Sequence, residues 1–538
     1  MKRELIFFIV CTLSAVYASA QRMPLDFSLS RDFYFQQLLL NNEPTVLNRN
    51  QYYSDSLRFY HQKLSPGYSL FYRNEGKQSM RLLPVEQLVE YNSRHPYGWN
   101  NGSMLRSRGT QTLTRLGVWF KYDWLEIQYQ PEIVYSEQLE YLGFPTQYQI
   151  ELWRDRYINW RQIDFPETWT QRPSIEWLTG QTQVNLRVRG LVFGYSNRNF
   201  WMGPGIHQSL LMTNNARALP RLFIETQDPL DLGVMGLHFN LFGGIASPSL
   251  EIMSGNRRRL PSDFLFKENR DRYFNGLTIE LQPNFMSGLS IGLNRVLQLY
   301  MDNAREFGAY FPVFNNLFRE NDNNELELRG LDQVISIYLQ LVMPDNHAMV
   351  SLEYGRNDAA LKMRDYIMSP SHSFAYNFSM MKYFIVNDNQ RFTIQLERTR
   401  FETTNKDFIR GAGSWYENSR VPHGYTNFGE IIGSGIGQGS NLTYASIGYS
   451  HDKSEWNVYG EYLVNDVNFQ VDHLVEKPDW TTTCVGLVHK RFFGPIITET
   501  KVAGTFSSNY QWILAEEFES VENNPKNLHI VFKTAYTF

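Results

Sequence analysis

Residues 530–538 read Ile-Val-Phe-Lys-Thr-Ala-Tyr-Thr-Phe, and their strict two-residue period constrains the chain more than any other feature. Successive side chains of a strand point to opposite faces. Ile530, Phe532, Thr534, Tyr536 and Phe538 therefore share one face, while Val531, Lys533, Ala535 and Thr537 share the other. One set is expected to face an apolar phase and the other water. A closed sheet needs such a last strand, because it pairs with the first and leaves no edge. The final strand of a soluble sandwich can carry the same pattern, so the rest of the chain must decide.

The N-terminus predicts the compartment. Lys2 and Arg3 precede the apolar run Leu5 to Leu13, and Ala18-Ser19-Ala20 offers a small-x-small cleavage site. This is the pattern of a secretory signal peptide over residues 1–20, cleaved near Ala20. The run is too short to anchor a helix in a bilayer. Cleavage leaves Cys484 as the only cysteine, which excludes an internal disulfide and any cysteine-based metal site. Beyond the leader no stretch approaches the roughly 20 apolar residues of a membrane helix. Yet 15% of the chain is aromatic, with 32 Tyr, 37 Phe and 12 Trp. Aromatic girdles, polar turns and a polar lumen account for that mixture in a transmembrane β-barrel. The net charge of -4 gives no sign of nucleic-acid binding.

Strand pairs recur through the chain. Leu125, Ile127 and Tyr129 alternate with Glu126, Gln128 and Gln130, and the same grammar returns at 184–189, 277–282, 289–294, 392–397 and 442–459. Short turns such as Asp123-Trp124 and His451-Asp452-Lys453 alternate with long polar loops. The expected fold is all-β and transmembrane: an outer-membrane antiparallel barrel over residues 113–538, of about 18 strands by the usual length per strand. Residues 21–112 read as a small, partly helical periplasmic segment. Its helical candidates are Asp32–Leu40, Gln51–Leu64 and Pro84–Tyr91, the last with proline in its first turn. Helices are expected only at the start of the chain.

One loop segment is more specific. Residues 197–205 read Asn-Arg-Asn-Phe-Trp-Met-Gly-Pro-Gly, followed by Ser209-Leu210-Leu211, Asn215-Ala216 and Pro220. Upstream lie Pro96-Tyr97-Gly98-Trp99 and Gln130-Pro131-Glu132. Downstream lie Trp415-Tyr416, Gly424-Tyr425-Thr426-Asn427 and the glycine-rich run Gly433 to Gly437. Together these resemble the capsule assembly Wzi family, in its branch with a longer N-terminal region, over most of the chain from about residue 80. Met202 stands between Trp201 and Gly203, where the best-known branch has Trp-Gly-Pro-Gly. The resemblance implies an outer-membrane barrel with a lectin-like role, one that holds capsular or other exported polysaccharide at the surface. It does not imply hydrolysis.

The residues themselves fit that role without requiring it. Sugars are held by aromatic faces and by charge-assisted hydrogen bonds. The candidate polysaccharide contacts are Arg198, Trp201, Gly203, Pro204 and Gly205, the basic run Arg257, Arg258 and Arg259, and the aromatics Trp415, Tyr416 and Tyr425. A tight turn explains Trp201 to Gly205 equally well. Packing explains the three aromatics, and solvation or pairing with lipopolysaccharide phosphates explains the arginines. Arg187 and Arg189 are expected to face the lumen, where Glu126 can pair with them. The expected partners are the polysaccharide, outer-membrane lipids and lipopolysaccharide, and a polysaccharide export apparatus. No cofactor or metal is implied. No nucleophile elbow, zinc helix or phosphate loop occurs, so an enzyme is not expected, although His207 and Ser209 share one segment. The alternative is a porin or solute channel, since a barrel of this size is wide enough for water unless something fills it.

Overall fold

The structure is a computed structural model, and it describes residues 39, 78–166, 172–249, 267–304, 310–314, 330–357, 373–403, 413–514, 518 and 521–537. Eighteen antiparallel strands close into one barrel. They are β1 (Gln78–Asn92), β2 (Gly109–Tyr122), β3 (Leu125–Tyr129 with Glu132–Ser136), β4 (Ser174–Leu178 with Gln183–Val188), β5 (Leu191–Ser196) and β6 (Arg221–Thr226 with Leu230–Asp231). Then come β7 (Met235–Ala246), β8 (Arg272–Pro283), β9 (Leu289–Tyr300), β10 (Asp332–Met343), β11 (Ala348–Asn357) and β12 (Phe374–Asn387). The circuit ends with β13 (Gln390–Arg400), β14 (Asn441–His451), β15 (Ser454–Val464), β16 (Thr481–Phe493), β17 (Ile496–Ser508) and β18 (Lys526–Tyr536).

The alternation in β18 does what its period predicts. Leu528, Phe532 and Tyr536 are exposed on the outer wall, while Asn527, His529, Val531 and Ala535 are buried inside. β18 closes the barrel on β1, with Val85 opposite Tyr536 and Asn92 opposite His529. The wall turns at one end are short, as at 123–124, 189–190, 388–389, 452–453 and 494–495; the connections at the other end are long. In outer-membrane barrels the short turns face the periplasm and the long loops face outward. The two ends are called lower and upper on that basis.

Two expectations are corrected. The barrel starts at Gln78, not near residue 113, and the helical candidate Pro84–Tyr91 lies within β1. Proline has no N–H to give a ladder, but the register of β1 against β2 shifts between Leu83 and Glu86, and a bulge of this kind tolerates it. Helices are also not confined to the start. α1 (Ile150–Trp160) and α2 (Val467–His473) lie in upper loops. The candidates at 32–40 and 51–64 fall outside the described residues apart from Leu39. That residue is helical and fully buried with Ile206, Val342, Met349, Met381 and Tyr383, and its carbonyl meets His347 Nδ1 at 2.6 Å.

Polar and charged side chains inside the wall are linked across the strands. Arg115 meets Glu132 at 2.6 Å and Glu86 at 3.3 Å, His529 meets Glu90 at 2.7 Å, and Arg187 meets Glu126 at 2.8 Å, the pairing expected from sequence. Leaving a buried polar group unpaired is costly, so these links help hold the strands in register. Arg189 instead occupies the lower turn, with φ 49° and an exposed side chain.

Candidate functional site

Two loops leave the upper rim and fold into the lumen. The first, residues 197–220, starts where β5 ends at Ser196. Wall carboxylates hold it. Glu397 of β13 accepts the backbone N–H of Ile206 at 2.8 Å, His207 at 2.7 Å and Gln208 at 2.5 Å. Glu353 of β11 accepts from the Leu210 N–H at 3.2 Å and from the Ser336 hydroxyl at 2.6 Å. A carboxylate taking successive backbone donors satisfies groups that a buried loop would otherwise leave unpaired.

The second loop, within 413–440, packs on the first. Tyr416 OH donates to the Leu210 carbonyl at 2.7 Å, Thr213 N–H to the Ile432 carbonyl at 3.0 Å, and Asn215 Nδ2 to the Ile431 carbonyl at 3.0 Å. Leu210, Leu211, Met212, Phe401, Trp415, Tyr416, Tyr425 and Ile431 form one apolar core with wall residues Phe242, Phe274 and Val334. The upper lumen is thus filled by a plug made of the chain itself.

The plug is where most of the sequence candidates went. Trp201, Trp415, Tyr416 and Tyr425 are all buried, and Trp415 and Tyr416 have no exposed surface. Their rings face protein, not a polymer, which corrects the expectation that they are sugar platforms. Gly203 and Gly205 are geometric requirements. Gly203 has φ 117°, and a Cβ there would sit 2.7 Å from Glu353 Oε2; at Gly205 it would meet the Asn377 amide oxygen at 2.8 Å. Pro204 is buried between them. Arg198, half-buried, donates to Gln183 Oε1 at 3.3 Å. Arg257, Arg258 and Arg259 lie outside the described residues. His207 and Ser209 do not act together. His207 Nε2 is 3.1 Å from Glu461 Oε1, and the Ser209 hydroxyl donates to the Met202 carbonyl.

A pocket of about 150 Å³ lies above the plug, at the mouth, walled by residues from five upper loops. Its aromatic lining comprises Tyr97, Trp99, Tyr141, Trp160, Phe165, Trp480 and Tyr510. α1 supplies one wall because Trp153, Arg156, Tyr157 and Trp160 recur at helical spacing and are all buried. Those rings pack with Phe144, Tyr148, Phe469 and Trp512. Arg156 sits among the rings, 4.8 Å from the Phe469 centroid, and pairs with Asp466 at 2.9 Å. Asp466 also caps α2 through the Phe469 N–H. Burial dominates the acids here. It raises the Asp466 carboxyl above its ordinary range, and it pushes Glu430 up to about 7 although Arg106 pulls the other way. His95 is held down at about 4 by burial.

Below the plug a second space of about 240 Å³ is lined by charge, including Arg115, Arg391, Lys490, Lys501, Lys533, Glu455, Glu461 and Glu499. Tyr97 and Trp99 separate the two spaces: both donate to Glu461 of β15, Trp99 Nε1 at 3.3 Å, and Trp99 lines both. Sequence reading singled out the segments 96–99 and 433–437 that border this pocket but assigned them no part in a site. The spacing of Trp153, Tyr157 and Trp160 was a further signal, for the wall that α1 supplies. Among the described residues no group of His, Cys, Asp and Glu could hold a metal ion.

The family model for the capsule assembly protein Wzi matches residues 179–456, more than half of the chain and both plug loops. The chain belongs to the Wzi capsule assembly family. No curated protein sequence matches it. Among solved structures it is similar to Wzi of Escherichia coli, described as an outer-membrane protein involved in group 1 capsule assembly and a carbohydrate-binding β-barrel. That likeness has a TM-score of 0.57 at 8% identity and covers 97% of this chain and 100% of that one, so it shows the barrel fold. OccK2 of Pseudomonas aeruginosa (TM-score 0.39, 9% identity, 87% and 98% covered) and a BenF-like porin from Pseudomonas fluorescens Pf-5 (0.38, 9%, 86% and 99%) match more loosely. Family membership and fold thus agree with the resemblance carried by residues 197–220.

Proposed function

We propose that this Wzi-family barrel resides in the outer membrane after loss of a leader near Ala20, and that it binds exported capsular or other surface polysaccharide at its mouth and retains it on the cell without cleaving it. The observation that carries this reading is the pairing of a filled upper lumen with an aromatic pocket directly above it. A plug packed like a protein core leaves little for a transport pore to use, whereas half-buried rings beside unpaired polar atoms suit sugar rings and hydroxyls. The carbohydrate binding described for the Escherichia coli relative supports the same reading. The partners in this reading are the polymer, the outer-membrane lipids and lipopolysaccharide that meet the apolar wall, and an export apparatus that delivers the polymer.

The test is the distribution of polysaccharide between cells and medium in a strain lacking the gene. Polymer made in normal amount but shed into the medium is the expected result. Unchanged retention, together with ion conductance of the purified barrel in planar bilayers, would replace the lectin with a channel.

A further inference from the structure

The mouth pocket contains two arginines in different situations. Arg156 is committed to Asp466. Among the described residues the Arg106 guanidinium meets no carboxylate. It donates to the Gly435 carbonyl at 3.0 Å and lies between two rings, 5.6 Å from the Trp99 centroid and 4.8 Å from that of Phe165. The nearest acid, Glu430, takes the Arg106 backbone N–H at 3.1 Å instead. A guanidinium has five donors in a rigid fork, so most of this one remains open to the pocket. Three further polar atoms along the same lining have no partner among the described residues: His95 Nδ1, Gln511 Oε1 and Trp480 Nε1. His95 and Gln511 are 7% and 4% exposed, so these are interior groups.

A ligand that covers this pocket removes water from Arg106. A neutral sugar would leave its charge desolvated and without a counter-ion, which is unfavourable. A carboxylate would meet the open edge of the fork with two parallel hydrogen bonds. Ring hydroxyls on the same sugar would supply both donors and acceptors to His95, Gln511 and Trp480.

We infer that the mouth pocket is selective for an acidic sugar, a hexuronate unit of the polymer, whose carboxylate sits on Arg106 and whose hydroxyls meet His95, Gln511 and Trp480. This rests on the polysaccharide-binding reading and adds the chemical class. Glu430 supports it: burial pushes its carboxyl up to about 7, so at neutral pH the neighbouring acid offsets only part of the Arg106 charge.

The experiment measures binding of the purified full-length barrel to polysaccharide extracted from the cells that make it, before and after chemical reduction of its carboxyl groups to alcohols. Wild type, Arg106→Gln and Arg106→Lys are compared. Expected is a loss of about tenfold or more on carboxyl reduction, a similar loss in R106Q for the untreated polymer, partial recovery in R106K, and no advantage of the wild type over R106Q for the reduced polymer. Binding that neither reduction nor R106Q weakens would overturn the hexuronate site and leave the lectin reading standing. Weakening by R106Q but not by reduction would place the acidity on a phosphate or sulfate substituent and also overturn it. No binding of the untreated polymer by the wild type would sink the lectin reading itself. Thermal unfolding of each variant in detergent separates lost contact from lost fold.

Discussion

The upper and lower halves of the lumen are built from opposite chemistry. Above, Trp415, Tyr416, Tyr425, Leu210 and Leu211 pack as tightly as a soluble core, and two wall carboxylates are spent on loop backbone. Below, cations and acids from neighbouring staves line a space that the plug does not fill. The same wall makes both, because inward positions on every strand accept either class of residue. The difference shows where function was placed. A rigid plug gives the mouth a fixed floor, and a site on a fixed floor keeps its geometry.

The contrast breaks first at the plug's anchor. Glu397→Ala leaves three loop N–H groups, two of them buried, without an acceptor, at about 1 kcal/mol for each buried one. The variant is expected to melt well below wild type and to conduct ions in planar bilayers where wild type does not. Next comes the mouth itself. Arg156→Ala leaves Asp466 buried and unpaired and costs about 3 kcal/mol. Limited proteolysis should then cut the loops bearing α1 and α2 while the barrel stays intact.

Acidity sharpens the same comparison. The folded state holds the Glu430 proton up to about 7, against an ordinary value of 4.5. A raised carboxyl contributes stability that is complete below the ordinary value and is lost as pH rises through the folded one. Relative to Glu430→Gln, which does not titrate, wild type should lose on the order of 2 kcal/mol between about pH 5 and about pH 8. Thermal melts of the pair across that range measure it, and parallel curves would mean that Glu430 ionises freely. Trp480→Ala should weaken polysaccharide binding about tenfold, near 1.4 kcal/mol, and, because the ring also packs on Tyr510 and Trp512, lower the melting temperature while the barrel stays folded. Lys501→Gln, in the lower space with its ammonium 5.0 Å from the Tyr459 ring, should change polymer affinity by less than about 0.5 kcal/mol.

The wall was legible in the sequence because a barrel strand has to alternate. Leu125 to Gln130 and Ile530 to Tyr536 read correctly, as did the strand number, the short lower turns and the Arg187–Glu126 pair. β1 was misread because Val85, Leu88 and Val89 mimic helical spacing and Pro84 resembles a helix start; the bulge that accommodates it has no local signature. The plug was misread for another reason. In this fold an aromatic residue can face lipid, polymer or the filled lumen, and Trp415 looks the same in each. Only the contacts of Tyr416 with Leu210 and Ser434, some 200 and 18 positions away, show that the glycine-rich runs are interior joints. The mouth pocket draws on five loops, so its members share no spacing that could be read along the chain.

In the proposed reading, polymer is held at the mouth and does not pass through the barrel. The most direct measurement restores the gene to a deletion strain as wild type or as Trp480→Ala, with equal barrel levels in the outer membrane, and weighs polysaccharide on cells against polysaccharide in the medium. Retention is expected with wild type, and shedding with the variant at unchanged total synthesis. Full retention with the variant would contradict this reading.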